Sequence, residues 1–217
     1  MPTFDMLQVL ESLSVSTLVV AIAEIGDKTQ LLALLLAARF RKPWPIIAGI
    51  LVATILNHAL AGWLGALLAS WLTPEVLRWI VVASFLAIGL WTLKPDTLDE
   101  GDTSLPARGA FIATTIAFFI AEIGDKTQVA TIVLAAKAPL LWPVVVGTTL
   151  GMLAANVPVV LLGSRFAKRL PLKAARIAAA VLFLALAGWV AWRGVGDVHT
   201  APCAPAAVCA DGRQPLH

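Results

Sequence analysis

Apolar residues in this chain come in long runs separated by short polar breaks. A helix needs about 20 mostly apolar residues to cross the hydrocarbon core of a bilayer. Six stretches meet that requirement, at roughly 12–38, 44–71, 75–93, 109–136, 140–164 and 173–193. The pattern predicts an all-α polytopic membrane protein with six transmembrane helices. The first run is preceded by Asp5 and Glu11 and by no lysine or arginine, so it lacks the basic leader of a cleaved signal peptide and is expected to stay as the first helix.

Composition narrows the function classes. Of 217 residues, 59% are hydrophobic and 13% charged, and mean hydropathy is +0.88. The connections between runs leave no room for a soluble catalytic domain or a nucleotide-binding module. The net charge of +3 is explained by membrane topology and implies no nucleic-acid partner. Ten lysines and arginines, from Arg39 to Arg176, fall in the breaks after the first, third and fifth runs, against Arg78, Lys137, Arg193 and Arg213 on the other side. The positive-inside bias then puts both termini outside the cytoplasm, with the cell inner membrane the expected location. Of the eight tryptophans, Trp44, Trp71, Trp79, Trp91, Trp142 and Trp192 fall near predicted helix ends, where indole rings anchor at headgroup level. Cys203 and Cys209 lie in a Pro/Ala-rich tail on the oxidising side, where either a local disulfide or two idle thiols fits.

The chain is written twice. Shifting it by 98 residues superposes AEIGDKTQ at 23–30 on AEIGDKTQ at 121–128 without a gap, and brings Trp44 onto Trp142, Gly49 onto Gly147, His58 onto Asn156 and Phe85 onto Phe183. The expected organisation is a first three-helix repeat at 1–93, an acidic cytoplasmic linker at 94–108, a second three-helix repeat at 109–193 and a flexible extracytoplasmic tail at 194–217. Because each copy has an odd number of spans, the two copies are expected to enter the membrane in opposite senses. Inverted repeats of this kind place a transporter's site at the midplane, between the copies.

The repeated octapeptide puts charge where lipid should be. Glu24 and Asp27, like Glu122 and Asp125, are three residues apart, which on a continuous helix means one face and about 4.5 Å of rise. Lys28 and Lys126 stand four residues beyond their glutamates, at the spacing of a helical ion pair. Gly26 and Gly124 permit close backbone approach or local unwinding. An ionised side chain at the bilayer centre costs at least about 2.5–3.5 kcal/mol on insertion scales. Four carboxylates against two ammonium groups leave two negative charges, a deficit that one divalent cation or two protons would close. Thr29, Gln30, Thr127 and Gln128 add hydroxyl and amide oxygens, with Asn57, His58 and Asn156 mid-helix in the second span of each repeat. Such an oxygen-rich set suits Mg, Ca or Mn, and no thiolate set for Zn or Cu accompanies it. No Ser/His/Asp set, H-E-x-x-H motif or phosphate loop supports an enzyme.

The doubled E-x-G-D-K-T motif resembles that of the Gdt family of cation/proton exchangers, which includes Golgi manganese and calcium transporters and bacterial MneA-type manganese exporters. The resemblance extends to about residue 193. It implies that Glu24, Asp27, Lys28 and Thr29, with Glu122, Asp125, Lys126 and Thr127, are the family's functional residues, and no position departs from the motif. It also implies export of Mn(II) from the cytoplasm in exchange for protons, with no resident cofactor. Calcium as the main cargo, or export of an organic cation or amino acid on a similar fold, are the alternatives. Oligomeric state is not encoded in any feature of the sequence.

Overall fold

The computed structural model describes residues 6–94, 109–163 and 172–193. Every regular element among the described residues is an α-helix: α1 Met6–Glu24, α2 Lys28–Phe40, α3 Pro43–Trp71, α4 Pro74–Thr92, α5 Ala110–Glu122, α6 Lys126–Lys137, α7 Leu141–Leu162 and α8 Leu172–Arg193. Five helical stretches are long and apolar enough to cross a membrane, within α1, α3, α4, α7 and α8, and α5 is a shorter apolar helix. The acidic linker beyond Lys94, the basic residues at 165–169 and the tail with Cys203 and Cys209 lie outside the described residues.

The first and fourth expected spans are not continuous. Each is two helices, broken at Ile25–Asp27 and at Ile123–Asp125. The glycine in each break takes a left-handed backbone, with φ +84° at Gly26 and +75° at Gly124. Those values favour glycine, because a Cβ would crowd the following carbonyl. The aspartate after each glycine is extended and caps the next helix, its side chain accepting from the backbone N–H of Thr29 or Thr127. The one-face geometry expected for Glu24 and Asp27 on a continuous helix is therefore overturned: the glutamate ends one helix and the aspartate starts another.

Other boundaries follow local chemistry. Pro43 and Pro74 open α3 and α4, where a missing N–H costs nothing, and Thr73 caps α4 by accepting from Val76 N–H. Arg41, at φ +52°, closes α2. Without a hydrophobic drive inside lipid, helices associate by close packing over small residues. A Cβ built on Gly49 of α3 would lie 2.8 Å from Thr114 Cβ and 2.9 Å from Phe111 O of α5, and one on Gly147 of α7 would lie 2.9 Å from Ser16 Cβ and 2.6 Å from Leu13 O of α1. Under the 98-residue shift these are the same contact made twice. Phe85 and Phe183, each other's counterparts, meet with ring centroids 6.0 Å apart. A residue that touches its own counterpart lies where a two-fold relation between the copies would place its axis.

Tryptophans at the helix ends point outward: Trp44, Trp71, Trp142 and Trp192 are all exposed on the protein surface. Exposed leucines and isoleucines along the same helices complete the apolar exterior that a bilayer requires.

Candidate metal and proton site

Glu24, Asp27, Glu122, Asp125 and Lys126 are all buried, none more than 3% exposed, at the two helix breaks. One carboxylate oxygen from each of Glu24, Glu122 and Asp125 lies within 4.8 Å of the others. The two motifs, 98 residues apart in sequence, thus form one cluster. Lys126 of the second motif is ion-paired with Asp27 of the first, and Lys28 of the first reaches Asp125 of the second, Nζ to Oδ1 3.9 Å. The exchange is reciprocal, as in an isologous interface. Sequence spacing had suggested that Lys28 would face Glu24 four residues back; it pairs across the copies instead, because the break removes the helical turn that would have stacked the two side chains.

The threonines organise the carboxylates. Thr29 Oγ1 donates to Glu24 Oε2 at 2.5 Å and lies 3.3 Å from Asp27 Oδ2, while Thr127 Oγ1 stands 3.1 Å from Glu122 Oε2 and 3.2 Å from Asp125 Oδ2. Each hydroxyl therefore ties the glutamate ending one helix to the aspartate opening the next. Thr29 and Thr127 N–H groups reach the same aspartates at 3.3 and 3.5 Å. The positive N-terminal ends of α2 and α6 thereby face the acid cluster. The second oxygen of each glutamate, Glu24 Oε1 and Glu122 Oε1, is buried with no hydrogen-bond donor among the described residues. A buried, unsatisfied carboxylate oxygen is costly in protein interiors and is the feature a cation or proton would relieve.

Gln30 and Gln128, expected as ligand donors, brace the breaks. Gln30 Oε1 accepts from Gly26 N–H at 2.9 Å and Gln128 Oε1 from Gly124 N–H at 2.7 Å, satisfying amides freed by the interruption. Gln30 Nε2 also donates to Ala155 O of α7 at 3.0 Å, fixing the broken first span against the second copy. Asn57 donates to Phe119 O at 3.1 Å, one of the last four carbonyls of α5, which have no partner within that helix. Asn156 bonds within its own helix, to Met152 O at 3.1 Å and Met152 Sδ at 3.0 Å. His58 is buried in α3, and neither ring nitrogen has a hydrogen-bond partner among the described residues. The contacts of Asn57 and Asn156 are thus with helix backbone and a thioether. Sequence reasoning had not singled out the carbonyls of Phe119 and Ala155, since a backbone acceptor leaves no mark on residue type.

The family profile described as divalent cation/proton antiporter GDT1 matches the chain twice, over residues 12–100 and 110–198. The chain belongs to this family. The two matches are offset by the same 98 residues as the octapeptides, so each covers one copy. A protein of Vibrio cholerae serotype O1 named "Putative manganese exporter" is 57% identical over 180 residues, which cover 82% of this chain and 90% of that protein. A GDT1-like protein of Synechocystis is 27% identical over 206 residues, 83% of this chain and 97% of the other. No solved structure matches. The family is one of multi-pass membrane transporters, and the helices of this chain agree in length and apolarity.

Proposed function

We propose that this protein exports Mn(II) from the cytoplasm across the cell inner membrane in exchange for protons, using the cluster at the two helix breaks as a single site that holds either cargo. The observation that carries the reading is the convergence of Glu24, Glu122 and Asp125 oxygens within 4.8 Å, two of the three residues each retaining a buried oxygen without a donor. Four carboxylates and two ammonium groups give a formal charge of minus two. One divalent ion or two protons restores neutrality, so a cycle that trades one for the other never carries a bare negative site through lipid.

In this mechanism a partly dehydrated ion is held by Glu24, Asp27, Glu122 and Asp125, directly or through water. Thr29 and Thr127 keep the carboxylates aimed inward, and their hydroxyl oxygens retain lone pairs toward the ion. Lys28 and Lys126 limit the charge of the site when the ion leaves. Hard oxygen donors without thiolate suit Mn(II) and also Ca(II). The 57% identity to a protein named for manganese export favours manganese.

The architecture that fits is six membrane-crossing units in two inverted halves, 1–93 and 109–193, with both termini outside the cytoplasm. Support comes from the reciprocal Lys–Asp pairs, the matched Gly49 and Gly147 contacts and the Phe85–Phe183 meeting. Rocking of one half against the other would then expose the site alternately to the two sides.

Reconstituted protein in liposomes with an imposed pH gradient is expected to take up or release Mn(II) with opposite proton movement. Glu24→Gln and Asp125→Asn are each expected to reduce exchange at least a hundredfold. Exchange by both variants at the parental rate would overturn the assignment.

A further inference from the structure

A cavity of about 340 Å³ opens beside the first turns of α1 and the end of α6, with Glu11 and Lys137 in its wall and Ser16 and Phe85 at its inner end. Six waters around a cation occupy about 180 Å³ at about 30 Å³ each, so a fully hydrated divalent ion fits. The carboxylates lie farther in. Ser16 is eight residues before Glu24 on α1, and Leu134 eight after Lys126 on α6, which places the cavity floor roughly 12 Å from the site at 1.5 Å per residue. Val19, Ala23, Phe85, Ala130, Val133 and Phe183 fill that interval as part of one apolar cluster, each at most 5% exposed. No hydrated ion passes such a plug without helix movement.

The other copy shows the reverse. A shift of 98 residues turns half-buried Ser12 and 36% exposed Val15 of the cavity wall into Ala110 and Ala113, both buried, whereas Leu134 and Val144 are buried like their counterparts Leu36 and Ile46. Lys137 becomes Arg39, again a basic residue in the last turn of the helix after a break. Glu11 becomes Gly109, so this position carries an acid in the first copy only.

Resting on the exchange reading, we propose that this cavity is the open half-pathway on the face of the N-terminus, its counterpart being closed at Ala110 and Ala113 among the described residues, and that Glu11 and Lys137 are opposing charges that set how readily a divalent cation enters from that face. Glu11 draws the ion toward the floor. Lys137, at the same mouth, repels it and so discourages return of exported metal. A lysine ending a helix also complements the helix dipole, but a dipole role predicts no dependence on which face the ion approaches from.

The test uses oriented proteoliposomes of the full chain. With Mn(II) presented on the N-terminal face, Lys137→Gln is expected to lower the half-saturating concentration about three- to tenfold and Glu11→Gln to raise it by a similar factor, with Lys137→Arg restoring the parental value. The ratio of half-saturation between the two faces is the readout, since loss of folded protein changes rates on both faces alike. In parallel, Val15→Cys and Ser12→Cys, in a Cys203→Ser, Cys209→Ser background, are expected to react with a cationic, membrane-impermeant thiol reagent from the N-terminal face. Unreactive cysteines, or an unchanged ratio in both charge variants while wild-type exchange is intact, would overturn the half-pathway alone. A wild-type protein that moves no Mn(II) would remove the exchange reading and this inference together.

Discussion

At the scale of single residues, the two motif lysines have the same sequence context and different surroundings. Lys126 is 2% exposed and paired with buried Asp27, whereas Lys28 is 21% exposed and 3.9 Å from Asp125. Breaking a buried ion pair by removing one partner costs about 3–5 kcal/mol because a charge is left uncompensated, while a partly exposed pair contributes about 1 kcal/mol or less. Lys126→Met is therefore expected to lower the unfolding temperature in detergent markedly more than Lys28→Met, a comparison that differential scanning fluorimetry can make directly. Equal losses would mean that the two ends of the cluster are energetically alike. The members of this cluster were legible in the sequence, since the six charges stood out against an apolar background. Their pairing was not, because identical octapeptides offer each lysine two chemically identical aspartates.

Among the elements, the helix breaks decide the site. A glycine between acids suggested unwinding, but an unbroken helix with the acids on one face was equally compatible with the spacing. The backbone at Gly124 settles the matter at φ +75°, where a Cβ would meet nothing within 4 Å. Gly124→Ala is therefore expected to cost about 1–2 kcal/mol through backbone strain alone, without a packing clash. Gly147→Ala tests the opposite case. There the added carbon would sit 2.6 Å from Leu13 O, so α1 and α7 must separate, at an expected cost of about 1–3 kcal/mol. Thermal unfolding should show both losses, and a cysteine pair bridging α1 and α7 should crosslink less efficiently only in the Gly147 variant.

The whole molecule joins two copies that cannot make the carboxylate cluster separately, since each contributes one glutamate, one aspartate and a lysine for the other's aspartate. Binding at such a junction stabilises the assembled form by mass action. At a metal concentration 100 times the dissociation constant the gain is about 2.7 kcal/mol. Mn(II) is expected to raise the unfolding temperature of the parental protein and to leave that of Glu24→Gln unchanged. A rise of equal size in both would place the stabilising ion elsewhere.

Sequence alone determined the membrane environment, the duplication and the unusual run of charges inside apolar segments. Transfer into lipid is close to additive along a segment, repetition is read by shifting the chain on itself, and ionised residue types stand out against an apolar background. Tertiary structure alone decided that Lys28 and Lys126 cross to the other copy, that the glutamines hold the breaks together, and that a cavity with Glu11 and Lys137 in its wall lies between α1 and α6. Those outcomes depend on how helices nearly a hundred residues apart are set against one another, and close packing over glycines fixes that placement in three dimensions.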